Sequence, residues 1–201
     1  SLALVDYSYL KTSSYSGMKS TCVDALAHMI ESRLNTNANA FSRAYAEEGM
    51  KLWASCKGCL ETEERFAQMT DDEFSTFMQA SVLAGMAIAY TGTSIPHGLS
   101  YTLTYENGVP HGKAVGVFLS GFLKKYGDST EVEYVVKQLL GFDDIDTFRD
   151  YIRTLFGKLD MSEKLWKKDR DGILANPAKL KNYPFELTAD MLDDYVRYYN
   201  A

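Results

Sequence analysis

The sequence predicts an all-α fold of many helices, and three observations predict it. Apolar residues recur at three- and four-residue spacings, capping patterns precede several of those runs, and Asp24-x3-His28 sets two polar side chains one helical turn apart. Met18, Cys22, Ala25, Leu26, Met29, Ile30 and Leu34 give the first apolar stripe, which must pack on another element. A second helix is expected from Ser42 to Lys57. Thr70-Asp71-Asp72-Glu73 has the capping-box pattern, in which each side chain serves the other residue's backbone N–H, and it opens a run through Phe74, Phe77, Met78, Ser81, Val82 and Met86. Thr130-x-x-Glu133 repeats the pattern for a helix that Gly141 closes through a left-handed cap. Three more helices are expected over Asp144 to Phe156, Ser162 to Arg170 and Thr188 to Tyr199, with Pro177 and Pro184 in the loop before the last.

One segment admits two readings. Tyr101 to Tyr105, the Asn107-Gly108 turn and Val115 to Phe118 suit a β-hairpin by propensity. Pro110 opposes it, because proline removes a ladder donor but suits the start of a helix. Propensity leaves the two open.

Composition bounds the function. At 201 residues, 46% hydrophobic and 24% charged, the chain can bury a proper core, and residues 1–201 read as a single domain. A net charge of -6, with no cluster of Lys and Arg, argues against a nucleic-acid partner. No apolar run is long enough to span a membrane and the start has no signal-peptide pattern, so a cytoplasmic location is the expectation. The chain opens on Ser1 and not on Met, which suggests numbering that starts inside a longer protein. Three cysteines make no disulfide framework, and Cys56-x2-Cys59 has no second pair to complete a metal site, so both are expected as reduced helix cysteines.

The chemistry-bearing residues are few. The chain has three histidines: His28 on the first helix, then His97 and His111 in the repeated tripeptides Pro96-His97-Gly98 and Pro110-His111-Gly112. Residues four apart share a helix face, so Asp24 and His28 can converge on one ion. That face lies opposite the Cys22/Ala25/Met29 stripe and beside Ser20, Thr21 and Glu31, so it meets water or a polar cleft. Three imidazoles with one carboxylate suit Fe(II) or Zn(II) better than Ca(II) or Mg(II), which prefer oxygen shells. Singly, Asp24 with His28 reads as a solvated helix pair and the other histidines as capping residues. The residues alone leave a metal site and incidental histidines both open.

The segment Thr21-Cys-Val-Asp24-Ala-Leu-Ala-His28-Met-Ile-Glu31-Ser32 resembles the D-A-L-x-H-x-I-E helix of the iron-containing alcohol dehydrogenases. The separation of His97 from His111, the His111-Gly112-Lys113-Ala114 signature and Asn176-Pro177 before a final helix are also similar to that family. The resemblance runs from about Val5 to Tyr199. It implies the all-helical metal-binding domain of the family without the amino-terminal Rossmann-like domain, hence a fragment of a two-domain chain. It implies a divalent metal, Fe(II) ahead of Zn(II), held by Asp24, His28, His97 and His111, and NAD or NADP bound mainly by the other domain. The activity implied is oxidoreduction of a small alcohol or aldehyde by hydride transfer, with the isolated domain inactive. It also turns the ambiguous segment to helix, loop, helix. Where many members carry a further histidine, this chain has Tyr101, expected as a proton relay or as plain pocket wall. Two rival readings are a helical metal-dependent hydrolase, although no His-Asp dipeptide is present, and a non-catalytic helical interaction domain. A homo-oligomer is compatible with all three.

Overall fold

The computed structural model describes residues 3–201, and helices make up its regular structure. Among the described residues no strand forms. A 3-10 turn over Tyr7–Thr12 leads to α1 (Tyr15–Arg33), which Ser14 caps by accepting the Gly17 N–H. Helix α2 (Ala40–Cys56) follows an Asn39–Ser42 capping box, and a short α3 (Glu63–Ala67) precedes α4 (Asp71–Thr91). The capping box expected for α4 is present: Thr70 Oγ1 accepts from the Glu73 N–H, and a Glu73 carboxylate oxygen accepts from the Thr70 N–H at 2.8 Å.

The ambiguous segment is two helices, α5 (Ile95–Asn107) and α6 (His111–Lys124). Gly108, at φ 65° in the left-handed region, ends α5, so the Asn-Gly pair serves as a helix stop and not as a hairpin turn. Pro96 lies in the first turn of α5, while Pro110 sits at the capping position just ahead of α6. The chain continues through α7 (Ser129–Glu133), α8 (Ile145–Phe156), α9 (Glu163–Leu174), α10 (Pro177–Leu180) and α11 (Ala189–Asn200).

Two local expectations shift. Asp128 and not Thr130 caps α7, accepting the N–H groups of Thr130 and Glu131, because the helix starts at Ser129 and Thr130 already lies inside its first turn. Helix α7 then loosens into a π-helical turn over Tyr134–Leu139, and Gly141 at φ 67° closes it as expected. Helix α4 buries Phe74, Phe77, Ala80, Ala84 and Ala87, leaving Val82 and Met86 exposed. The buried face thus continues from Phe74 and Phe77 through small alanines, where α4 packs on α2.

Helix α1 is the axis of the fold, packing on α2 and α4 at one side and on α6 at the other. It is enclosed nearly all round, and the single apolar stripe read from its sequence is a full core helix carrying a polar seam. Trp53 of α2 closes one flank by donating its indole N–H to the Cys22 carbonyl at 2.9 Å. Helix α5 lies against α6 and α9, and α8 and α11 cover the outer side of α6. Cys22, Cys56 and Cys59 are free and buried, with burial pushing the Cys59 thiol up to about 12. No described helix is long and apolar enough to cross a membrane.

Candidate metal centre

Asp24 and His28 stand one turn apart on α1, and Glu31 follows on the same seam. Glu31 is wholly buried and caps α5 from outside that helix. Ser94, the capping residue of α5, makes no side-chain capping bond of its own. Glu31 instead accepts from the backbone N–H of Ser94 and from that of His97 at 3.2 Å. Its Oε1 also lies 2.6 Å from His97 Nδ1. One carboxylate therefore fixes both the first turn of α5 and the orientation of its imidazole. This role was missed at the level of sequence, although Glu31 falls one turn beyond His28 on a helix otherwise rich in core residues.

The imidazoles meet at a single oxygen. Asp24 Oδ1 is 3.3 Å from His97 Nε2, 3.6 Å from His111 Nε2 and 4.0 Å from His28 Nε2. Ligand atoms of Asp24, His97 and His111 all lie within 4.8 Å of one another, a set that could hold a metal ion. His28 reaches the cluster from the side, its ring stacked on that of His97 with centroids 4.5 Å apart. Tyr101 is 41% exposed and its ring lies parallel to that of His111, with centroids 6.2 Å apart. Cys56 and Cys59 take no part, and Cys59 bonds Glu73 at 3.2 Å.

The electrostatics test whether a cation fits. Burial alone would lower His97, but Glu31 and Asp24 together hold it up at about 9. Asp24 is buried enough to be pushed up, yet the close approach of His97, with His28 and His111 nearby, holds it below its ordinary value. His28 is pushed down by burial and by the neighbouring His97. Asp24 Oδ1 and His97 Nε2 are both buried, and neither has a hydrogen-bond partner. With the His97 Nδ1 proton donated to Glu31, Nε2 presents a lone pair to a carboxylate lone pair. Two facing acceptors repel unless a proton or a cation lies between them. The donor set of nitrogen and oxygen therefore fits a divalent first-row ion.

Residues 18–171 match the model of the Fe-containing alcohol dehydrogenase family, C-terminal. The chain belongs to that family. The family fold also appears in solved structures: an iron-containing alcohol dehydrogenase from Thermotoga maritima superposes with a TM-score of 0.84 at 29% identity, over 97% of this chain and 52% of that one. Sulfoacetaldehyde reductase from Bifidobacterium kashiwanohense, solved in complex with NAD+, superposes at 0.79 with 25% identity, over 98% and 53%. Among curated family relatives, 4-hydroxybutyrate dehydrogenase of Clostridium kluyveri is 24% identical across 95% of this chain and 55% of its own. The 1-propanol dehydrogenase of Citrobacter freundii is 31% identical over 50% of this chain and 26% of its own. The chain thus spans about half the length of the relatives it matches most fully. The hydrolase and non-catalytic readings find no support in this family.

Proposed function

We propose that this chain is the metal-bearing part of an NAD(P)-dependent alcohol dehydrogenase. Its reaction is the reversible conversion of a small alcohol and NAD(P)+ to an aldehyde, NAD(P)H and a proton. Asp24, His28, His97 and His111 would hold a divalent ion, Fe(II) ahead of Zn(II), which when bound supplies Lewis acidity towards the substrate oxygen. The observation that carries this reading is the convergence of three imidazole Nε2 atoms on one carboxylate oxygen. Residues 1–201 act as one helical domain, and a nucleotide-binding part beyond them supplies most contacts to NAD or NADP. The location proposed is the cytoplasm.

The protein's own groups have distinct work. Glu31 holds the proton of His97 on Nδ1, which keeps Nε2 free to ligate. Asp24 balances charge at the cluster. Tyr101 and His111 bound the open edge and restrict water there. The relative from Clostridium kluyveri adds a short hydroxy acid to the substrates worth assaying.

The test has two parts. Elemental analysis after loading should find roughly one divalent ion per chain in wild type, and less in His97→Ala and His111→Ala; equal content in all three removes the site. The enzyme with its nucleotide-binding part should oxidise alcohols with NAD(P)+, whereas metal-dependent phosphoester hydrolysis in its place would overturn the reading.

A further inference from the structure

Among the described residues, a lysine near the histidine cluster pairs with no acid. Lys179 of α10 donates to Thr93 Oγ1, and its Nζ lies 5.3 Å from the centroid of the Tyr101 ring. Thr93 precedes the Ser94 cap of α5 and Tyr101 lies within the helix, so the ammonium reaches the first turns of the helix that carries His97. Tyr101 in turn stacks on His111 at 6.2 Å. Tyr101 therefore has a proposed metal ligand and a positive charge as its neighbours. Among the described residues, Lys179 has no ion-pair partner, and the Thr93 hydroxyl leaves its other donors free.

The arm is placed and not loose. Its stem runs over Gly98, where a side chain would put a Cβ 3.4 Å from Lys179 Cγ. Asn182 Nδ2 donates to the Thr93 carbonyl at 2.8 Å and so fixes the segment that holds the ammonium. A lysine that served only solubility would need neither contact.

From this geometry we propose that Lys179 binds the carboxylate of the substrate, which makes the substrate a short hydroxy acid and its semialdehyde. The proposal rests on the dehydrogenase reading above. Because His111 and the Lys179 ammonium both lie against the Tyr101 ring, a molecule whose hydroxyl meets the histidine cluster can bend around that ring and place a terminal carboxylate at the ammonium. An uncharged alcohol of equal length lacks that second contact.

The test uses the enzyme with its nucleotide-binding part, measuring kcat/KM for 4-hydroxybutyrate and for 1-butanol in wild type, Lys179→Met and Lys179→Arg. Wild type should prefer the acid. Lys179→Met should lower the acid-to-alcohol ratio roughly 10-fold to 100-fold, the range of one charge-assisted hydrogen bond, and Lys179→Arg should restore most of it. Butyrate binding, followed by calorimetry, should weaken in parallel. An unchanged ratio in Lys179→Met overturns the proposal. So does a rise in KM for the nicotinamide cofactor without a fall in the ratio, since the ammonium would then serve a cofactor phosphate. Wild type that turns over neither substrate sinks the dehydrogenase reading, and the subsite with it; turnover with an unchanged ratio sinks the subsite alone.

Discussion

Helices α5 and α6 carry the same tripeptide, Pro-His-Gly, yet different physics holds each in place. Polar grips flank α5: Glu31 reaches its first turn from α1, and Asp169 of α9 accepts from Thr102 Oγ1 at 2.8 Å on another flank. Helix α6 is buried along most of its length, from Gly112 to Leu123, and is held by apolar contact and close backbone approach. The outcome is two unlike histidines. His97 is 3% exposed with one ring nitrogen anchored, while the His111 side chain is 39% exposed. The tripeptide thus places an imidazole near a helix start, and the neighbours on α1 decide how rigidly it is held.

The largest effect should come from breaking the approach that holds α6. A Cβ on Gly112 would fall 1.7 Å from the Ser20 carbonyl oxygen, and a backbone atom cannot turn aside. Gly112→Ala should therefore cost at least about 3 kcal/mol, the top of the ordinary overpacking range, in urea unfolding. A cost under about 1 kcal/mol would mean that α6 is not set by this contact.

The grips on α5 answer to pH and to metal. Asp169 is 3% exposed, and one of its oxygens is buried without a partner. Burial, with help from Glu106, pushes its carboxyl up to about 7 against the pull of Thr102. Between about 4 and about 7 the folded protein keeps a proton that the unfolded chain has lost. Stability from this group is thus full at the acid end and lost as pH rises to about 7, with a ceiling of about 4 kcal/mol. Comparing unfolding midpoints across that window, Asp169→Asn should flatten the fall; parallel curves for the two proteins would show that Asp169 does not drive it.

Glu31→Gln keeps the shape of the other grip and spoils its chemistry. An amide has one oxygen where the carboxylate has two, so with the oxygen on His97 its NH2 meets the Ser94 N–H. Turned round, its NH2 meets the His97 N–H and favours the tautomer with the proton on Nε2, so the anchor is lost either way. Metal affinity should fall roughly 10-fold to 100-fold, as it does when a ligand histidine loses its carboxylate partner. Titration with Zn(II) and Fe(II) measures it. Unaltered affinity would mean that His97 needs no anchor and that the contrast with His111 has no consequence.

These differences mark where the sequence was legible. Asp24-x3-His28 could be read because helical spacing alone puts the two on one face, and the Thr70–Glu73 box because it is local chemistry. The α5–α6 turn was open to propensity, and Gly108 reads as a helix stop only once the flanking segments are known to be helical. The cap of α7 moved to Asp128, because two local caps competed and spacing does not rank them. The apolar run of α4 marks Phe74 and Phe77, which are buried, but not Ala80, Ala84 and Ala87, because alanines that permit close packing carry little hydropathy signal. Glu31 stood within view, but its partners lie 63 and 66 residues away, and only tertiary structure joins them.

Gly98 gives the smallest and most discriminating effect. A Cβ there would clash with Ile173 Cδ1 at 2.3 Å, the end of a side chain that can rotate away, and would rest in ordinary contact with Lys179 Cγ at 3.4 Å. Alanine is also favoured over glycine within a helix by about 1 kcal/mol, which offsets much of the cost of that movement. Gly98→Ala should therefore change stability by less than about 1 kcal/mol, far below Gly112→Ala, because side chains yield where backbone does not. The Lys179 stem is left in ordinary contact with that Cβ, so the preference for acid over alcohol should hold together with the melting curve. If Gly98→Ala unfolds the protein as readily as Gly112→Ala, then α5 is packed as rigidly at its start as α6, and the division between a helix held by polar grips and one held by close packing fails.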